Sequence, residues 1–175
     1  ANSSCSRAAH ATEAPSPWVV RWAPLIAKGT VLDVACGSGR HARWLAARGR
    51  EVVAVDRAPQ TIPGVRFVQE DLEGNRPWPF PGEQFGGIVV ANYLHRPLYP
   101  QLIAALAPGG VLIYETFMVG NERFGRPSNP DYLLRPGELL EAFGSLRIIA
   151  FEQGLIREPR TAVMQRLCAV RQGYV

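Results

Sequence analysis

The chain has 175 residues, 47% apolar and 19% charged, which suits one domain with a sizeable core, and no apolar run approaches the roughly 18 residues of a membrane-spanning helix. Its net charge of +4 is dispersed among acids rather than gathered into a patch, and every basic residue but Lys28 is arginine, so nucleic acid is not an expected partner. Cys5, Cys36 and Cys168 are odd in number and lack metal-ligand spacing, which argues against a disulfide framework or a metal site and for a reducing, cytoplasmic setting.

Ala1 to Pro17 is small, polar and punctuated by proline, without the apolar stretch of a secretory signal, and reads as a flexible tail ahead of a single domain over 18–175. From Gly29 onward, short β-branched runs alternate with helical patterns, the arrangement of an α/β fold with a parallel sheet covered by helices. The first strand is predicted at Thr30 to Ala35, followed by a helix near Arg40 to Arg48 with Ala42, Leu45 and Ala46 on one face. Further strands are expected at Glu51 to Val55, Val65 to Gln69 and Gly87 to Ala91, with a helix near Tyr99 to Ala107. Val111 to Phe117, almost wholly apolar, reads as a central strand buried on both faces. Met118 to Arg135 is a long stretch rich in Gly, Asn, Pro and Arg without periodicity, a length usually functional or disordered. Pro136 suits the first turn of a helix running to Phe143, and Leu146 to Phe151 and Thr161 to Val170 read as two closing strands.

The segment most informative about chemistry is Val31-Leu32-Asp33-Val34-Ala35-Cys36-Gly37-Ser38-Gly39-Arg40-His41, a strand, a glycine turn and a helix start. Glycines at 37 and 39 allow a sharp turn and close approach of a ligand, and the helix that follows presents free N–H groups. Taken alone the turn also satisfies a loose dinucleotide fingerprint. Asp33 shifts the balance: a carboxylate inside the strand can meet a cationic ligand, or it can order the turn through backbone N–H groups. Asp56 closes the second strand, where it can accept ribose hydroxyls or cap the next turn. Asp71 closes the third, where it can accept from an adenine amino group with Leu72 against the ring.

Asp33-x-x-Cys36-Gly37-Ser38-Gly39-Arg40, Val55-Asp56 and Glu70-Asp71-Leu72 together resemble the first three motifs of class I S-adenosylmethionine-dependent methyltransferases, and Ala105-Leu106-x-Pro108-Gly109-Gly110 looks like the turn before their fifth strand. The resemblance covers roughly residues 29 to 117 and is similar to the small bacterial branch that includes tellurite-resistance-type enzymes. It implies a doubly wound, Rossmann-like, seven-stranded sheet that is mostly parallel with an antiparallel last strand. It also implies S-adenosylmethionine as cofactor, with Asp33, Gly37 and Gly39 at the methionine part, Asp56 at ribose and Asp71 at adenine. Ala35, Arg40, Leu72 and Asn92 are expected among the cofactor contacts. The fourth motif, Ala91-Asn92-Tyr93-Leu94-His95-Arg96-Pro97, lacks the Asn/Asp-Pro-Pro-Tyr/Phe pattern of amino-directed nucleic-acid enzymes.

The function so implied is methyl transfer to a small-molecule acceptor that the sequence does not identify, with no membrane partner. Alignment of the acceptor is the main task, and His95 and Tyr93 are the candidate bases, with Glu115 behind them. Met118 to Arg135 leaves the fifth strand at the edge where ligands bind in open α/β sheets. It is therefore expected to act as a lid in which Arg123, Phe124, Arg126 and Tyr132 grip the acceptor. Two rivals remain: a nicotinamide- or flavin-binding oxidoreductase using the same glycine turn, and a regulator that binds S-adenosylmethionine without turnover.

Overall fold

The computed structural model describes residues 13–173. Its strands are β1 (Val31–Val34), β2 (Val52–Asp56), β3 (Val65–Gln69), β4 (Phe85–Ala91), β5 (Leu106–Phe117), β6 (Arg147–Ile156) and β7 (Ala162–Val170). They form one seven-stranded sheet in the order β3-β2-β1-β4-β5-β7-β6, in which β7 runs antiparallel to both its neighbours. The order reverses at β1, from which the chain works outward first through β2 and β3 and then through β4 and β5. Every residue of β1 is buried, which is why that strand is apolar on both faces apart from Asp33.

Period-two alternation sorts the strand side chains into two cores. Leu32, Val34, Val53, Val55, Ile88 and Val90 face helix α3 (Tyr99–Ala105) and helix α4 (Glu138–Ala142), with Leu102, Leu139 and Phe143 from that layer. Val31, Val52, Ala54, Val89 and Ile113 face helices α1 (Pro17–Trp22) and α2 (Arg40–Ala47), which contribute Trp18, Val19, Ala42 and Leu45. The indole Nε1 of Trp18 donates to the carbonyl of Leu167 at 3.1 Å, pinning α1 to β7.

Several boundaries differ from the sequence expectation for local physical reasons. β5 begins at Leu106, whose partner is Phe85, and the register shifts before Gly87 pairs with Val111. Pro108-Gly109-Gly110 is thus a bulged strand entry; a Cβ on Gly110 would come within 2.9 Å of the Phe85 carbonyl. Helix α3 accordingly ends at Ala105 rather than Ala107. Helix α4 starts after Gly137, left-handed at φ +72°, not at Pro136. β6 continues past Phe151 to Ile156 because it pairs with β7 as a long hairpin, Ile156 opposite Ala162.

Part of the expected tail is also fixed. Ser16 is buried, its hydroxyl accepts from Trp18 N at 3.2 Å, and its own N–H donates to His41 Nε2 at 3.0 Å. The remainder of that expectation, residues 1–12, lies outside the described residues.

Segment 118–135 is held at both ends rather than free. Leu134 N donates to the Phe117 carbonyl and Val119 N to the Leu134 carbonyl, while buried Asn121 accepts from Val163 N and donates to the Pro127 carbonyl.

Candidate active site

The carboxyl ends of β1 to β5 open on a cavity of about 440 Å³, within the range of roughly 300–1,000 Å³ that small-molecule sites occupy. Ala35 and Asn92, which follow β1 and β4, both line it. They are the two non-glycine residues at positive φ among the described residues, +51° and +56°. Strained left-handed residues at two adjacent strand ends turn the chain aside and leave backbone facing the cavity.

Acids dominate the wall. Asp56 from the end of β2, and Glu70, Asp71 and Glu73 after β3, stand against one lining cation, Arg57. Asp56 Oδ2 accepts from Gly37 N at 2.9 Å and Oδ1 from Ala58 N at 2.9 Å, so this carboxylate also ties the glycine turn to the second strand. Asp71 Oδ1 accepts from Glu73 N at 3.0 Å, and Leu72 lies between them in the wall.

The two glycines are glycine for different reasons. Gly37, at φ +56°, would carry a Cβ with nothing within 4 Å, so space opens over the turn. At Gly39, φ +86°, a Cβ would collide with the Ile62 side chain, so that position answers to packing rather than to ligand approach.

Asp33 is not in this wall. It shares a face with Val31, beneath α2, where it is buried and its Oδ2 accepts from Ala42 N at 3.0 Å. Burial, opposed by that N–H and by Arg40, pushes its carboxyl up to about 7. The contact Asp33 makes here is with the first turn of α2, and its carboxylate does not line the cavity. Cys36 is likewise buried, and its thiol is pushed well up by burial and by the nearby carboxylates of Asp33 and Asp56.

The candidate bases separate. Tyr93 lines the cavity, but burial and the neighbouring Glu73 and Asp71 push its hydroxyl well above the ordinary phenol range. His95 instead lines a further cavity of about 290 Å³ with Trp78, Pro97 and Gln101, its Nδ1 3.6 Å from Glu73 Oε1. Of segment 118–135, Pro127 and the exposed Tyr132 reach the cavity wall.

A second cavity of about 330 Å³ adjoins the first, with Asn92 and Phe117 common to both. Arg40, Arg160 and Arg166 line it with Glu13 and Glu115, over an apolar floor that includes Ile156, Ala162 and Met164. Arg40 reaches back to Glu13 Oε1 at 3.9 Å and to the Ala14 carbonyl at 3.2 Å. Arg123, Phe124 and Arg126 line neither cavity.

Among the wall residues that sequence reasoning missed, Glu13, Arg57, Glu70, Glu73, Arg160 and Arg166 are the charged ones. Glu70 and Glu73 flank Asp71 closely enough for adjacency to have found them. Nothing local marks Arg160 and Arg166, which reach the site through the β6–β7 pairing.

The first cavity fits S-adenosylmethionine, a cation with a ribose and an adenine. It offers carboxylates in excess, and one of them, Asp56, accepts from Gly37 N of the glycine turn. A family model described as "Methyltransferase domain" matches residues 7–156. A trans-aconitate 2-methyltransferase from Methylobacterium nodulans is 36% identical over 100 residues, which cover 51% of this chain and 38% of that relative's length. Among solved structures, TehB from Haemophilus influenzae superposes with a TM-score of 0.73 at 16% identity, over 93% of this chain and 64% of its own. The 1,6-didemethyltoxoflavin-N1-methyltransferase of Burkholderia thailandensis, whose structure holds S-adenosylhomocysteine, gives 0.61 at 19% identity, over 89% and 76%. These likenesses in structure concern the fold, and the match of the family model spans most of the sequence. The chain belongs to the methyltransferase-domain family, with the fold of class I S-adenosylmethionine-dependent enzymes.

Proposed function

We propose that this chain binds S-adenosylmethionine in the acid-lined cavity and transfers its methyl group to a small-molecule acceptor. The observation that carries the reading is the convergence of Asp56, Glu70, Asp71 and Glu73 on one cavity at the carboxyl edge of the sheet. Asp56 is assigned to the ribose hydroxyls, Asp71 and Leu72 to the adenine, and Ala35, Gly37 and Asn92 to the methionine part. Asp33 and Gly39 act behind that surface, shaping the turn and the start of α2, and Arg40 lines the adjoining cavity, where it pairs with Glu13.

When bound, S-adenosylmethionine supplies a methyl group on a positively charged sulfur. The protein's share is to hold the acceptor in line with it, a positioning effect worth about 7–11 kcal/mol in favourable cases. Tyr93 keeps its proton at neutral pH and so acts as a wall and hydrogen-bond donor. His95 lies outside both cavities, and among the described residues neither is lined by a histidine. The arrangement therefore favours an acceptor atom that arrives deprotonated. The name of the Methylobacterium relative makes a small polycarboxylate a sensible first acceptor to try.

Titration calorimetry with S-adenosylmethionine, NADH and FAD tests the cofactor, and release of S-adenosylhomocysteine across carboxylate, thiol, amine and oxyanion acceptors tests the reaction. Asp56→Ala and Asp71→Ala are each expected to weaken cofactor binding roughly 10- to 150-fold, the loss of one charge-assisted hydrogen bond, with the fold kept. Wild-type affinity in both variants would remove these assignments. Tight cofactor binding without turnover on any acceptor would favour a regulator.

A further inference from the structure

The two adjoining cavities carry opposite charge. In the second, three guanidiniums face two carboxylates, and both carboxylates are already engaged. Glu115 takes Arg166 Nε at 3.2 Å, with side chains only 4% and 13% exposed, and Arg166 Nη1 also lies 3.8 Å from Glu152 Oε2. Glu13 pairs with Arg40. Arg160 has no ion-pair partner among the described residues; its guanidinium carbon lies 5.6 Å from the ring centroid of Phe117.

Phe117 ends β5 and lines both cavities, so Arg160 stands over the wall that joins them. A guanidinium without an ion-pair partner among the described residues, flanked by two further arginines beside apolar side chains, offers an anion a forked, charge-assisted contact. The cofactor's positively charged groups suit the acids of the first cavity, and the measurements below separate its own carboxylate from that of an acceptor.

We propose that the cavity lined by Arg40, Arg160 and Arg166 receives the carboxylate of an anionic acceptor, and that Arg160 is the residue that selects for it. This rests on the methyltransferase reading above. It moves the grip on the acceptor from segment 118–135 to the β6–β7 hairpin, whose turn, between Ile156 and Ala162, carries Arg160 over Phe117 at the end of β5. Arg40 and Arg166, tied by their glutamates, act as fixed walls that keep the local field positive, while Arg160 is free to fork onto a carboxylate.

The test compares the wild type with Arg160→Gln and Arg160→Lys by calorimetry, first with S-adenosylhomocysteine and then, on the loaded protein, with acetate, succinate, trans-aconitate and the neutral trimethyl ester of trans-aconitate. The expected result is that at least one carboxylate binds the loaded wild type and the ester does not. Arg160→Gln should weaken that binding at least tenfold, Arg160→Lys should restore part of it, and S-adenosylhomocysteine affinity should stay within about twofold throughout. Equal carboxylate affinity in wild type and Arg160→Gln would overturn the proposal, as would binding of none of the carboxylates. A tenfold loss of S-adenosylhomocysteine affinity in Arg160→Gln would overturn it too, because the cavity would then hold the cofactor's own carboxylate. Failure of the wild type to bind S-adenosylhomocysteine at all is a separate result: it removes the methyltransferase reading and the acceptor role with it.

Discussion

Asp33 and His41 lie on either side of the glycine turn, and folding moves their proton affinities in opposite directions. Burial raises the Asp33 carboxyl from 3.8 to about 7, and burial with the nearby Arg40 lowers the His41 imidazole from 6.5 to about 3. Between these limits the folded state keeps a proton at Asp33 that the unfolded chain has lost, so this residue makes stability fall as pH rises. Over the same range the unfolded chain holds a proton at His41 that the folded state excludes, since Nε2 there accepts from Ser16 N. That residue makes stability rise with pH. Each slope reaches at most about 1.4 kcal/mol per pH unit, and in wild type they offset each other. Asp33→Asn, which can still accept from Ala42 N, removes one of them. Its urea midpoint is expected to climb from about pH 4.5 to 6.5 distinctly more steeply than that of wild type; parallel profiles would contradict the assignment. The same residue shows why the site was only partly legible. In sequence Asp33, Asp56 and Asp71 look alike, three acids in or after three strands. Alternation separates them: Asp33 shares a face with Val31 and goes under α2, whereas Asp56 and Asp71 come at or beyond the last residue of their strands, where no helix covers them.

At the scale of elements, the parts with an apolar or β-branched run of their own were readable and the parts that depend on a partner were not. β1 to β4 and the last seven residues of β5 follow from their apolar runs, and the glycine turn from its spacing. The outer half of β6, Glu152-Gln153-Gly154, has no strand character of its own and is extended because β7 lies beside it. Segment 118–135 is similar: its order comes from Asn121 and from Arg96, both outside any local pattern. Arg96 donates to both Glu138 oxygens at 2.8 and 3.0 Å and to the carbonyls of Asp131 and Leu133. Tyr99 donates to Glu138 Oε2 at 2.7 Å and Arg135 N to Oε1 at 3.0 Å, so one carboxylate joins α3, α4 and the segment between. Burial by itself would raise the Glu138 carboxyl, but these donors outweigh it and hold it near about 2. The stabilisation is complete above the ordinary value of 4.5 and is lost as pH falls toward about 2, below most of the window in which Asp33 and His41 oppose each other. Glu138→Ala leaves several donors without their acceptor and is expected to cost at least about 2 kcal/mol in urea unfolding at pH 7. A loss below about 0.5 kcal/mol would show the network to be incidental.

For the whole molecule, binding is linked to stability: a cofactor present at a hundred times its dissociation constant should add about 2.7 kcal/mol. The net charge of +4 conceals a strong local asymmetry, because the cavity assigned to a cationic ligand is walled by four acids. Methyl transfer removes one positive charge from the molecule held there. The acids that would draw the charged form in have less hold on the spent, neutral-sulfur form, which keeps its ammonium but has lost the sulfonium charge. Added salt should therefore weaken S-adenosylmethionine binding more than S-adenosylhomocysteine binding, narrowing any preference for the former between about 30 mM and 300 mM NaCl. Identical salt dependences would mean that the four carboxylates shape the cavity without sensing charge. If the difference is found, the same wall that captures the donor also limits inhibition by its by-product.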